Sequence, residues 1–217
     1  MSVTPQRVRV CFSKDGDLRF IGHLDLQRLF ERALRRSGLP LRYSQGFNPK
    51  VRLNIASALP LGFSSSCELL DFWLDQTVEP KMIKESLTKA LPADLKVLEV
   101  NAVPNQLSSL QANLVASEYR ISFPESADLA QIHSDLQTLL TQPSIPFERR
   151  RKSINLKPTI ESIRWESLPE GESLFLRMSA LPQANGRPDE LLELLRLDPA
   201  LCQIHRTRLY FDLPDEE

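Results

Sequence analysis

An α+β fold in two consecutive units, each with an antiparallel sheet, is what the order of elements along the chain predicts. Three observations carry this. Segments of period-2 alternation are short and bounded by turn chemistry. Amphipathic helical segments fall between only some of them. The same order of elements begins again near the middle of the chain.

The first unit is expected over residues 1–103. Val8, Val10 and Phe12 alternate with Arg7, Arg9 and Cys11, the pattern of a half-buried strand. The SKDGDL stretch that follows is turn chemistry, with Asp-Gly as its strongest signal. A helix is expected from His23 to Arg36: Leu26, Leu29, Phe30, Ala33 and Leu34 form an apolar stripe, and Arg28, Arg32, Arg35 and Arg36 lie opposite. Asp25 in the first turn and arginines in the last suit the helix dipole, and Gly38 stands where a C-terminal cap belongs. Leu41–Tyr43 starts a strand that Ser44–Pro49 interrupts and Val51–Ala56 resumes. Glu68–Leu74 is a further strand, and Pro80–Leu91 a short helix with Met82, Ile83, Leu87 and Leu91 inward. Leu95–Val100 closes the unit. The order β, α, β, β, α, β is the ferredoxin-like arrangement.

The chain is polar and small from Pro104 to Asn113, and residues 104–115 read as an inter-domain linker. A second ferredoxin-like unit follows over residues 116–217. It has a strand at Glu118–Phe123, an amphipathic helix at Ala127–Leu140 and strands or a hairpin within Phe147–Lys152 and Lys157–Trp165. Another strand at Leu174–Ser179, a helix at Arg187–Leu197 and a last strand at Gln203–Asp212 complete it. The tail after Leu213 is expected to fray.

Composition narrows the function classes. The 217 residues carry a net charge of −1, yet residues 1–50 hold ten Lys/Arg against four Asp/Glu. One basic lobe on a near-neutral chain suits local contact with a polyanion or an acidic protein face. No apolar run approaches the roughly 20 residues that span a bilayer, and the N-terminal stretch lacks the apolar region of a signal peptide. Cys11, Cys67 and Cys202 are isolated and odd in number, which suits reduced thiols in the cytoplasm.

No catalytic set is visible. His23, His133 and His205 are scattered, without metal-ligand spacing, and there is no phosphate-binding glycine loop. His23 and Asp25 diverge at a helix start, and Ser44 has no obvious base beside it. No cofactor and no catalytic or metal-binding residue is therefore expected. What remains is a contact surface. Tyr43, Gln45, Phe47, Asn48, Lys50 and Arg52 combine aromatic faces, amide groups and cations within ten residues, beside Arg28, Arg32, Arg35 and Arg36. Packing of Tyr43 and Phe47 within a hairpin is the competing reading. Arg149, Arg150 and Arg151 form a second basic cluster, either a solvated strand edge or an extension of that surface.

Phe12 to Gly62, with its YSQGFNP motif at Tyr43–Pro49, and the following Cys67-Glu68-Leu69-Leu70-Asp71 resemble the radical-SAM-linked family, a bacterial domain of unknown function. The resemblance extends through Lys157-Pro158-Thr159-Ile160 and the Arg206-Thr207 region. It implies a setting in RNA metabolism, since family members occur fused to or beside B12-binding radical SAM proteins and near ribonuclease E/G genes. Where the family pattern has a His-Pro pair, Lys50-Val51 stand here, which favours a binding role over an inherited catalytic one. The expectation is a cytoplasmic, non-enzymatic accessory or regulator of RNA metabolism that docks on a ribonuclease E/G-type enzyme, on RNA, or on both. Two alternatives stay open: an RNA-handling subunit for a radical SAM modification enzyme, and an RNA-processing enzyme of the tandem ferredoxin-like fold. Neither membrane nor DNA is expected as a partner.

Overall fold

Strand β1 (Gln6–Lys14) is the centre of the first sheet in the computed structural model, which describes residues 4–212. The fold is α+β. By contacts it divides into two units: residues up to Leu114 together with Phe211 and Asp212, and Val115–Tyr210. The tail expected to fray lies outside the described residues.

In the first unit, β1 runs antiparallel to β3 (Ser64–Leu74) on one side and β4 (Leu95–Val103) on the other. A short β2 (Leu53–Ile55) adds to β3, giving the order β4-β1-β3-β2. The register sets Val8 opposite Phe72, and Val10 opposite both Leu70 and Val100. These side chains share one face, because successive strand residues point to opposite sides. Helices α1 (His23–Arg36) and α2 (Pro80–Ala90) supply the rest of that core through Leu26, Phe30, Leu34, Ile83 and Leu87. Each buried side chain of this kind contributes roughly 1.5–3 kcal/mol.

The signals at the ends of α1 have the expected form. Asp25 lies in its first turn and Arg35 and Arg36 in its last, while the Ser37 N–H and hydroxyl serve its closing carbonyls. Gly38 then takes φ +73°, a conformation that side chains disfavour. Lys14, buried beneath this region, donates to the carbonyls of Arg19 and Ile21 just before the helix begins. Met82 corrects the inward stripe expected of α2: it is 60% exposed, whereas Ile83, Leu87 and Leu91 are buried. Positions 83, 87 and 91 repeat at four residues, and Met82 stands about 100° off that line.

The other face of this sheet is polar in sequence, yet it is covered over Arg7 and Asp71. The stretch expected as a linker carries the short helix α3 (Leu110–Asn113), capped by Ser109. Leu110 is buried, the carbonyls of Leu107 and Ser108 accept from Arg7, and Asn105 Oδ1 accepts from the Trp73 indole at 3.1 Å.

In the second unit, β5 (Leu114–Ser122) lies between β9 (Gly171–Leu181) and β11 (Gln203–Phe211). On the far side of β9 lies β8 (Ile160–Leu168), and a two-residue β10 (Ala184–Asn185) also pairs with it. Tyr119 and Ile121 align with Leu176 and Leu174, as do Ile163 and Trp165. On α4 (Leu129–Thr141) Ile132 and Leu136 are buried, and on α5 (Pro188–Leu194) Leu191 and Leu192. His133 of α4 stacks on Trp165 with ring centres 3.8 Å apart. Of the two stretches expected as strands or a hairpin, Phe147–Lys152 is broken by a turn between β6 (Pro146–Arg149) and β7 (Lys152–Asn155), a separate two-stranded ribbon, and Lys157–Trp165 leads into β8.

Candidate docking site

The interruption in the second strand is a finger. Leu41 bridges to Leu74 at the edge of β3, and the Arg42 N–H donates to the Trp73 carbonyl at 2.8 Å. The chain then leaves the sheet, turns through 45–49 and rejoins it at Leu53, opposite Phe72. Its two arms pair with each other: Arg52 N–H donates to the Arg42 carbonyl, Ser44 N–H to that of Lys50, and Tyr43 bridges Val51. Ser44 Oγ accepts from the Lys50 N–H at 3.0 Å, adding a side-chain lock. Gly46 takes φ +133°, a backbone reserved almost wholly for glycine.

With its two arms paired, the finger turns its side chains outward. Gln45, Phe47, Asn48, Lys50 and Arg52 are exposed, and Phe47 at 106% covers nothing of its own chain. Tyr43 is exposed to 40%. The competing reading, hairpin packing by Phe47, is thereby set aside. Five of the eight exposed large hydrophobics among the described residues lie within 20–62: Phe20, Leu24, Tyr43, Phe47 and Leu61. Scattered exposed apolar residues are ordinary, and the full exposure of Phe47 is what stands out among them.

At the base, Arg52 holds its guanidinium 4.1 Å from the centre of the Trp73 ring, and Arg7 lies 5.4 Å from it. An exposed contact of this type contributes about 1 kcal/mol or less. Arg7 and Arg9 converge on Asp71. Arg7 donates to Asp71 Oδ2 through Nε at 2.9 Å and Nη2 at 2.6 Å, while Arg9 Nε reaches Oδ1 at 2.9 Å. Asp71 is wholly buried, Arg7 is 3% exposed and Arg9 retains a partly solvated edge. Sequence reasoning missed this cluster. Its signal was the carboxylate in LLDFWL: an aspartate within a buried strand needs cations, and the arginines of β1 lie at the right period.

The remaining candidates divide by what holds them. On α1, Arg28 pairs with Asp25 at 3.2 Å and Arg35 with Glu31 at 3.8 Å, both on the helix surface. Arg32 is exposed without a side-chain partner among the described residues. Arg36 instead donates to the Ala90 carbonyl at 2.8 Å, tying α1 to the end of α2. In the second unit, Arg149 grips Glu190 and the Asn185 carbonyl, whereas Arg150 and Arg151 occupy the ribbon's tip, exposed and with φ of 49° and 66°.

Chemical groups suited to catalysis do not converge here. Burial pushes the Cys11 thiol up, with Glu99 and Glu68 adding to the effect, and burial does the same to Cys202 beside Asp198. Both are poor thiolates at neutral pH. Among the described residues, no group of three His, Cys, Asp or Glu side chains comes together to hold a metal ion. The arrangement is suited to recognition: a preformed aromatic tip, amides and cations around it, and a rigid base.

No curated protein sequence matches the chain. Among solved structures it is similar to a chain in a crystal structure of a Cbf5–Nop10–Gar1 complex, at 11% identity and a TM-score of 0.50 over 94% of its length. It spans 50% of that chain, and at this identity the likeness concerns the fold alone. A family described as "Uncharacterized protein conserved in bacteria" matches residues 7–188, which takes in the finger, the Arg7–Asp71 cluster and the basic ribbon. The chain belongs to that bacterial family, DUF2344.

Proposed function

We propose that this chain is a non-enzymatic accessory protein of RNA metabolism that docks through its 43–52 finger onto a ribonuclease E/G-type enzyme in the cytoplasm. Phe47 is the observation that carries this. A wholly exposed phenylalanine offers its full ring to a partner, and the paired arms beneath it restrict the loop that carries it. Aromatic and arginine side chains are the favoured anchors of protein interfaces, and Tyr43, Phe47 and Arg52 supply them here. Exposed Phe20, Leu24 and Leu61 favour a protein surface over RNA alone as the main contact. The ribonuclease as partner, and the RNA setting, rest on the resemblance to the radical-SAM-linked family.

The same reading takes each unit as ferredoxin-like. Its support is the element order together with the strand orders β4-β1-β3-β2 and β11-β5-β9-β8, in which the first and third strands are central. The cytoplasmic location is supported by three cysteines outside any disulfide, and among the described residues no helix is long and apolar enough to cross a membrane.

Capture of a purified ribonuclease E/G-type enzyme by the immobilised chain tests the proposal. Wild-type protein is expected to retain the enzyme. Phe47→Ala should weaken retention about tenfold or more, with thermal stability changed by less than about 0.5 kcal/mol. No retention by folded wild-type protein would overturn the reading.

A further inference from the structure

The β6–β7 ribbon is a second basic projection, and its turn carries residues poorly suited to it. Arg150 and Arg151 occupy the two turn positions with φ of 49° and 66°. A two-residue turn of this kind favours Asn-Gly, because side chains at positive φ crowd the neighbouring carbonyl. Two arginines there oppose local preference, and the position sets both cations at the outermost point of the ribbon. Neither guanidinium has a partner among the described residues, and the exposed Lys152 ammonium beside them has none either.

The ribbon is held firmly everywhere else. At its base Ile145 and Leu156 are fully buried, the Leu156 N–H donates to the Ile145 carbonyl at 2.8 Å, and Asn155 Oδ1 accepts from the N–H groups of Ile145 and Lys157. Next to the tip, Arg149 clamps onto buried Glu190 of α5 and onto the Asn185 carbonyl. Glu148, exposed on β6, is the one acidic side chain between Pro146 and Asn155. An isolated hairpin is marginally stable in water, so these anchors give the tip its fixed direction.

We propose that Arg150, Arg151 and Lys152 form a phosphate-contacting tip that binds the backbone of single-stranded nucleic acid. Backbone contact requires cations and carries no sequence information, which matches a tip with guanidinium and ammonium groups and no exposed aromatic ring or amide. An acidic protein face is the lesser fit, since the centre of a protein interface is apolar and aromatic. Phe147 and Ile154, the ribbon's apolar pair, are half-buried, unlike the fully exposed Phe47 of the finger. The identity of the strand as RNA rests on the RNA-metabolism reading above. Contacts to phosphate alone do not distinguish the sugars, so RNA and DNA strands of equal length should bind alike.

Fluorescently labelled oligo(U) and oligo(dT) are the probes, titrated over a range of salt with the full chain and with the double variant Arg150→Asn/Arg151→Gly. That variant installs the pair the turn prefers, so its melting temperature should hold or rise. Binding should weaken about tenfold, and the slope of log K against log salt should become shallower by roughly 1.4, two contacts at about 0.7 each. Unchanged affinity and slope would overturn the proposal, as would failure of the wild-type chain to bind either strand. Loss of ribonuclease retention with strand binding intact would also overturn it and make the tip a protein contact. Phe47→Ala separates this proposal from the docking one: it should weaken enzyme retention and leave the oligo(dT) salt slope unchanged.

Discussion

Asp71 accepts from two arginines in a place where water hardly reaches, and its chemistry shapes the polar face of the first sheet. A buried carboxylate with two guanidinium partners leaves one positive charge in surplus, which the half-solvated edge of Arg9 and the carbonyls around Arg7 accommodate. Such a cluster holds together only while all its members are present. Asp71→Asn should therefore destabilise the protein by about 3 kcal/mol, since it strands the buried Arg7 and takes the carboxylate from the part-solvated Arg9. Urea denaturation checks this. A change within 1 kcal/mol would mean that solvent already screens the group. The same residue shows why the arginines of β1 were misread from sequence. Alternation assigns Arg7 and Arg9 to a solvated face, and nothing in period-2 reasoning reveals that the 104–113 stretch crosses over Arg7.

At the scale of elements, the finger and the ribbon solve one problem in different ways. The finger pairs its own arms and uses glycine at φ +133°, while the ribbon relies on tertiary anchors and tolerates arginine at positive φ. Gly46 has open space around it, so an added methyl group meets no neighbour and acts only through the backbone. Gly46→Ala should strain the finger by about 1 kcal/mol, lower partner affinity several-fold and leave the melting temperature nearly unchanged. Retention assays paired with thermal melts test this. A large fall in melting temperature would show that the finger is part of the cooperative core. Much at this scale was legible beforehand. The ends of α1, the break at Ser44–Pro49 and the inward positions of β1 follow from caps, turn residues and periodicity. The exposure of Met82 and the strained turn at Arg150–Arg151 did not, because one depends on a helix's angular phase and the other on tertiary anchors.

For the whole molecule, acid sensitivity should follow from how many of its arginines lean on carboxylates. Glu118 is the clearest case: a hydrogen bond from Arg164 holds its carboxyl below the usual range despite partial burial, with Thr207 and Tyr210 assisting. Because its folded value is depressed, its contribution to stability is fully present above its ordinary value of about 4.5. It is lost as pH falls through the lowered folded value. Melting temperature should decline on that acid limb, and Glu118→Gln should flatten the decline while lowering stability at neutral pH. Parallel curves for both proteins would assign the acid limb to other carboxylates. The chain's two tryptophans fall one in each unit: Trp73 lies under the guanidiniums of Arg7 and Arg52 at the finger's root, and Trp165 stacks on His133 of α4. Each indole thus has its own neighbours to modulate its emission. With Trp165→Phe the remaining fluorescence becomes an optical readout of the finger's seat, and with Trp73→Phe it follows the second unit alone.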